Sequence, residues 1–456
     1  MNKLIEIKKG LDIKLTGKAG EEIRQPLVSE EYSVFPEDFP GFFPKVSVHQ
    51  GDKVLAGSPV MFDKNHPEIK LVSPVSGEVT AVNRGEKRKL LNIVVRSDGE
   101  NRYLEFGKKD VKTLSAGEIT QVLAASGIFA LIRQRPYDIV PNPDVRPRDI
   151  FVTAFSSAPL APDADFLLQG EDADFQTGID ALSALTEGKV YLGIDYKTKS
   201  GFLTNASNAE VYPVKGPHPA GNAGVQINHI RPVNKGETVW TLDAQTVIYI
   251  GRLFNKGVAD FSRLIAIAGS EIKPEYRAYY HTLPGVCLKE YFDRFTEEKR
   301  HKRYISGDVL TGTQIAADGF LHARDSLVTV IPEGDETNEF LGWISPGFGK
   351  FSVSHSYPSF ILKGLFRKGY DIDARIRGGR RAMIMSEEFD RVFPMSILPE
   401  YLLRAIIAFD IEKMENLGIY EVAPEDFALC EFVDTSKMEL QAIVREGLDK
   451  LYKEMV

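Results

Sequence analysis

Cysteine is almost missing from these 456 residues: Cys287 and Cys430 are the only two. Two thiols so far apart form no CxxC pair, which excludes a disulfide framework and a zinc or iron–sulfur motif and suits a reducing cytoplasm. Long apolar runs are missing too. The longest, such as "LIAIAG" at 264–269, fall far short of the ~18 residues of a spanning helix, and "MNKLIEIKKG" lacks the apolar run of a signal peptide. There is no excess of positive charge: 56 Lys+Arg against 64 Asp+Glu leaves a net charge of -8, without the basic field on which nucleic-acid binding rests. The eight histidines never fall at i, i+3 or i+4, so no helical metal pair is proposed. No G-x-S-x-G elbow and no internal repeat occurs, and the first of these removes a common hydrolase reading.

What is present changes character along the chain. The first hundred residues hold β-branched runs separated by Gly51-Asp52, Gly57-Ser58-Pro59 and Pro74-Val75-Ser76-Gly77, the punctuation of short hairpin strands. The paired glycine turns of "HQGDKVLAG" and "SPVSGEV" suggest the two half-motifs of a barrel-sandwich hybrid, the lipoyl or biotinyl architecture. Lys64 is the one residue near the place of a carrier lysine, but His66-Pro67 breaks the tight turn expected there. Lys64 is read as an ordinary solvated lysine, with a carrier arm as the alternative.

From residue 115 an α/β grammar begins. Ser115 and Glu118 have capping-box spacing ahead of Ile119, Val122 and Leu123, with Gly127 as the stop. "IFVTAF", "KVYLGI" and "TVIYIG" read as buried strands. From about 258, "RLIAIAGSEIKPEYRAYYHTLPGVCLKEYF" predicts strand, hairpin strand and helix, resembling a small ubiquitin-like β-grasp. The last 60 residues read as helical, with one stripe of Leu402, Leu403, Ile406, Ile407, Met414 and Leu417, and a final helix opened by a capping box from Ser436 to Glu439.

The glycine-dense "GPHPAGNAG" at 216–224 carries Asn222-Ala223 where a P-loop needs Lys and Ser/Thr, and it lacks G-x-G-x-x-G. It reads as a structural turn, with a ligand role for His218 or His229 as the alternative. Two stretches remain that suit chemistry. Tyr32, Phe35, Phe39, Phe42 and Phe43 lie among prolines, and Arg133, Arg135 and Tyr137 stand beside apolar residues. Aromatic walls with a few charged donors suit a planar apolar molecule with two carbonyls, a quinone. The alternative is packing at a domain interface, with the arginines paired to Asp138 or Asp144. A third stretch at 342–366 carries Trp343, Phe348, Phe351, Tyr357 and Phe360, a patch for a local core or for a docking partner.

"IKKGLDIKLTG", "SPVSGEVTAVNRGEKR", "GPHPAGNAG", "TVWTLDAQTVIYIGRLF", "LGWISPGFGKFSVS" and "PMSILPEYLLRAIIAFD" together resemble the NqrA family, the A component of the sodium-translocating NADH:quinone reductase, in order and across the whole chain. The resemblance extends distantly to the flavoprotein of respiratory complex I and to the C component of the Rnf complex. It implies an α/β multidomain fold: a lipoyl-like barrel-sandwich hybrid over 1–105, a Rossmann-like α/β domain over 106–255, an SLBB-type β-grasp over 256–335, and an aromatic loop with a helical domain over 336–456. It implies a peripheral subunit on the cytoplasmic face of the bacterial inner membrane, bound chiefly to the membrane-embedded B component and contributing to quinone binding. NADH, FMN, FAD, riboflavin, iron–sulfur centres and Na+ belong to the other subunits. In the redox-active cousins a glycine-rich loop holds flavin and NADH, and cysteines hold a cluster. Here "SGIFALIRQRPYDIVP" is bulky at the first place, and Cys430 stands alone at the second, with Asp434 where some members carry another cysteine. One thiolate does not hold a cluster that needs four ligands, so this chain is expected to carry no flavin, cluster, metal or catalytic residue of its own. The alternative is a purely structural cap that organises the B component through the aromatic loop and the β domain, with no small-molecule site.

Overall fold

The computed structural model describes residues 4–297, 299–336, 351–353 and 369–455. Two short strands, β1 (Ile5–Glu6) and β2 (Ile23–Arg24), open the chain and pair far from it in sequence. They are followed by β3 (Glu31–Val34), β4 (Pro44–Val46), β5 (Lys53–Val54), β6 (Pro59–Asp63), β7 (Lys70–Val72), β8 (Gly77–Arg84) and β9 (Leu90–Ser97). These seven make two antiparallel sheets, ordered β3-β9-β8-β5 and β4-β6-β7. Alternating apolar residues fill the space between them: Val60, Met61, Val79, Ile93 and Val95 are fully buried. Gly77 is required where the strands meet, since a Cβ there would lie 1.9 Å from the Arg96 main-chain oxygen. Lys64 is exposed at the start of the β6–β7 turn, which the Asp63 carboxylate closes by accepting from Asn65 N and His66 N.

The second unit contains α1 (Ala116–Ala125), β10 (Arg133–Arg135), β11 (Asp149–Thr153), α2 (Ala164–Leu167), α3 (Asp172–Leu185), β12 (Val190–Asp195), α4 (Gly201–Thr204), β13 (Glu210–Lys215), α5 (Ala223–Ile230), β14 (Val239–Asp243) and α6 (Ala244–Lys256). The capping box on α1 forms as expected, and Gly127 follows the helix at φ 81. "TVIYIG" is not a strand: it lies inside α6, which the Asp243 side chain caps on Thr246 N. That helix is buried from Thr246 to Phe254, and six apolar-rich residues read alone do not separate a buried helix from a buried strand, since its polar Gln245, Arg252 and Lys256 share a face only over the whole helix. The sheet is ordered β1-β13-β12-β11-β14-β10, parallel except for β10.

The third unit is built from β15 (Arg263–Ala268), β16 (Tyr279–Thr282), α7 (Lys289–Phe295), β17 (Lys302–Ser306), β18 (Thr313–Ile315) and β19 (Leu327–Pro332). Its sheet is ordered β18-β17-β19-β15-β16-β2, with the expected β15–β16 hairpin and a parallel β15–β19 pair. Because β1 joins the second sheet and β2 the third, the opening 24 residues clamp these two units rather than building the β unit in whose range they fall.

The chain closes with α8 (Phe389–Val392), α9 (Pro399–Ala408), α10 (Ile411–Asn416), α11 (Ala428–Val433) and α12 (Leu440–Met455). Their core of Leu402, Met414, Phe427, Cys430 and Leu448 is continuous with Ile7, Val214 and Val225 of the α/β unit. The single stripe expected over 402–417 is two helices. Phe409 turns the chain at φ 52, and Ile407 is left 52% exposed while Met414 is buried. Ser436 caps no helix, because α12 starts only at Leu440 and the Ser436 hydroxyl donates to Ala382 O at 3.0 Å. Among the described residues no helix is long and apolar enough to cross a membrane. Trp343, Phe348, Tyr357 and Phe360 lie outside the described residues. Phe351 is partly buried against Tyr370 and Phe432.

Candidate functional site: an arginine-lined cleft at the turn of the parallel sheet

The chain advances from β11 through β12 to β13 on one side, then returns to place β14 on the other side of β11. At such a reversal the connections leave in opposite directions, so a crevice opens beyond the carboxyl ends of the two central strands. A cleft of about 300 Å³ lies there, lined by Thr153 and Ala154 at the end of β11, Asp243 and Ala244 at the junction of β14 and α6, and Asn222 and Ala223 at the start of α5. The "GPHPAGNAG" loop thus borders the cleft.

Strand β10 supplies the opposite wall. Residues two apart on a strand share a face, so Arg133 and Arg135 both line the cleft. Neither is more than 7% exposed. Arg135 pairs with the carboxylates of Asp138 and Glu425. Arg133 has no carboxylate contact among the described residues: its Nη2 donates to the Asp38 main-chain oxygen at 2.6 Å. Burial first, and then the nearby Arg324 charge, push the Arg133 guanidinium down to about 9. Burial alone would raise the Asp138 carboxyl, but Arg135, Arg133 and Arg445 outweigh it and hold it below its usual range.

Two further arginines arrive from the third unit. Arg263 on β15 is 4% exposed and donates to the main-chain oxygens of Ala323 and His322 at 2.8 and 3.1 Å. Arg324 lines the cleft with no hydrogen bond or ion pair to any described residue. His218 completes the wall, 3% exposed, with Nδ1 3.1 Å from Ser157 Oγ; burial lowers its affinity for a proton. Sequence reading missed Arg263 and Arg324, which lie more than a hundred positions from β10 in separate segments. His218 was legible only as an alternative within a loop assigned to a structural turn.

The aromatic half of the expected set lies elsewhere. Phe35 and Phe39 line a separate apolar pocket with Leu71, Val72, Leu131 and Phe261. Phe35 stacks on His322 with ring centroids 4.7 Å apart, and His322 Nδ1 meets the Asp38 carboxylate. Tyr32 and Phe42 are core residues, and Phe43 is 45% exposed. Tyr137 turns toward the terminal helices, its ring 5.2 Å from Tyr452. The two halves are linked through Asp38, whose main chain serves Arg133 and whose side chain serves His322. Of the carboxylates considered as partners, Asp138 takes Arg135, and Asp144 takes neither arginine. Among the described residues no group of three His, Cys, Asp or Glu is placed to hold a metal ion.

Family models match most of the chain: an NqrA N-terminal barrel-sandwich hybrid domain over residues 5–98, an NqrA second alpha/beta domain over 114–259 and an NQRA C-terminal domain over 264–317. The A component of the Na(+)-translocating NADH-quinone reductase of Pasteurella multocida is 36% identical over 457 residues, covering 99% of this chain and 100% of its own. Its namesake in Hahella chejuensis is 35% identical over 459 residues, with the same coverage. A solved NAD+-reducing NiFe hydrogenase aligns at a TM-score of 0.33, with 14% identity over 49% of this chain and 50% of that one.

Proposed function

The chain belongs to the NqrA family, the A component of the Na+-translocating NADH:quinone reductase, and on that premise we propose that it is the peripheral member that brings a quinone-contacting surface to the complex. As one subunit of that oxidoreductase it has the other subunits for partners. In this reading it sits on the cytoplasmic face of the bacterial inner membrane and docks chiefly on the membrane-embedded B component. NADH, FMN, FAD, riboflavin, iron–sulfur centres and Na+ are handled by the other subunits, and this one carries none of them. The parallel sheet with its reversed order supports a Rossmann-like reading of 106–255, and the strand pairing from β15 to β19 supports an SLBB-type β-grasp over 256–335. Both belong with a lipoyl-like domain over 1–105 and a helical domain within 336–456.

One observation carries the quinone reading: the pocket of Phe35, Phe39, Leu71, Val72 and Leu131 has apolar walls and a polar edge made by Ser33 and by Asp38, the latter paired with His322. A quinone ring needs flat apolar walls and a hydrogen-bonding group near a carbonyl. The test is photolabelling of the assembled complex with a short-chain azidoquinone, followed by peptide mapping. The reading expects label on residues 35–39 and at least about tenfold weaker labelling in Phe35→Ala. Label confined to the B component, in a complex that stays intact, would favour the structural-cap reading.

A further inference from the structure

The cleft beyond β11 and β14 is not needed by the quinone reading, yet its wall is unfinished in one consistent way. Arg133 spends one nitrogen on a main-chain oxygen and Arg263 two, while Arg324 spends none on any described residue. Four carboxylates also line the cleft, equal in number to its arginines, and each already has a hydrogen-bond partner. Asp138 and Glu425 hold Arg135, Asp243 accepts from Thr246 N to cap α6, and Asp308 accepts from Leu310 N and Thr311. Among the described residues, Arg133 Nε and Nη1, Arg135 Nε and His218 Nε2 are buried without a partner, Arg263 has the Tyr249 hydroxyl beside it, and no oxygen of a lining side chain is buried without a partner. A buried donor without an acceptor is costly. A wall whose unspent atoms are all nitrogens therefore calls for a ligand that supplies oxygens and negative charge.

We infer that this cleft binds a small organic phosphate, with the phosphate against Arg133, Arg263 and Arg324 and the rest of the molecule toward His218 and the start of α5. Three features select phosphate over a carboxylate. The donors come from β10, β15 and the segment before β19, so they approach from several directions, which suits a tetrahedral group with three terminal oxygens better than a planar one. Asn222 gives α5 no side-chain cap, and Ala223, the first residue of that eight-residue helix, lines the cleft. The enclosed space of about 300 Å³ exceeds a bare ion and lies at the small end of ligand pockets.

The experiment is calorimetric titration of the full chain at low ionic strength with inorganic phosphate and, separately, phenyl phosphate. Saturable binding of phenyl phosphate is expected, about tenfold or more tighter than inorganic phosphate. Arg324→Gln should weaken it by a similar factor, and Arg324 has no described partner whose loss would disturb folding. Ser156→Glu, at an exposed position of the rim, should abolish binding by adding a carboxylate. No saturable heat with either probe up to about 10 mM, or undiminished binding in both variants, overturns the site. Equal binding of the two probes overturns the assignment to an organic phosphate.

Discussion

Asp38 joins three units through three oxygens: its main-chain oxygen accepts from Arg133 of the α/β sheet at 2.6 Å, while Oδ1 holds His322 of the third unit and Oδ2 accepts from Ala323 N at 2.9 Å. The side chains of Asp38 and His322 are only about a tenth exposed. The pair is therefore a buried seam between folding units rather than a surface ion pair.

This seam makes stability depend on pH. Burial would lower the His322 proton affinity, but the Asp38 carboxylate more than offsets it, so the folded value is raised above the ordinary 6.5. A raised histidine stabilises fully below its unfolded value and loses that contribution as pH climbs through the folded one. Asp38→Asn should lower stability by about 2 kcal/mol below pH 6 and by less above pH 8. Urea unfolding at the two pH values measures it, and a difference that does not change with pH would remove the pair as the cause.

Asp426 should show the opposite consequence of a charge without enough partners. Burial and then the Glu425 carboxylate push it up to about 7, and its Oδ2 accepts from Ala423 N at 2.9 Å. A carboxyl raised in the folded state favours folding while protonated, and the advantage fades as pH rises from the unfolded range near 4 toward 7. Asp426→Asn keeps the acceptor and removes the charge. Its melting temperature should match the parent near pH 4 and exceed it at pH 8, by about 1 kcal/mol of stability. A lower value at pH 8 would contradict the assignment.

Helices α3 and α6 pack backbone to backbone. A Cβ on Gly251 would lie 1.7 Å from the Asp174 main-chain oxygen, and one on Gly178 would lie 2.1 Å from that of Val247. Alanine brings about 1 kcal/mol of helix propensity, too little to compensate for forcing two helices apart. Gly251→Ala is expected to cost about 3 kcal/mol, read as a shifted urea midpoint. A neutral substitution would mean that the helices slide freely.

Cys430 is fully buried, and burial together with the carboxylates of Asp426, Asp390 and Asp434 holds its thiol well above 9. Cys287 is only partly buried, and burial raises it as well. A thiol reagent at pH 8 should modify Cys287 slowly and Cys430 only at the rate of unfolding. Rapid loss of both free thiols in native protein would refute this.

Much of the architecture is legible in local pattern. The Ser115–Glu118 box, the strands within "IFVTAF" and "KVYLGI", and the order of strand, hairpin strand and helix after residue 262 all stand in the folded chain. Local pattern failed where the window was too short or a turn intervened. "TVIYIG" is too short a window to show the helical spacing of Gln245, Arg252 and Lys256 in α6, and Phe409 breaks a stripe whose spacing continues past it.

By itself the sequence determined the classes of the units, the family, and the pair Arg133 and Arg135 as charged residues in apolar company, because each rests on neighbours a few positions apart. Only the tertiary structure decided what those arginines face. Closure of the β11–β14 crevice brings Arg263, Arg324 and His218 to them from distant segments and sends Phe35 and Phe39 to a different pocket. A cleft at a sheet reversal is made by chain topology, and no local run of residues records which distant side chains will meet there.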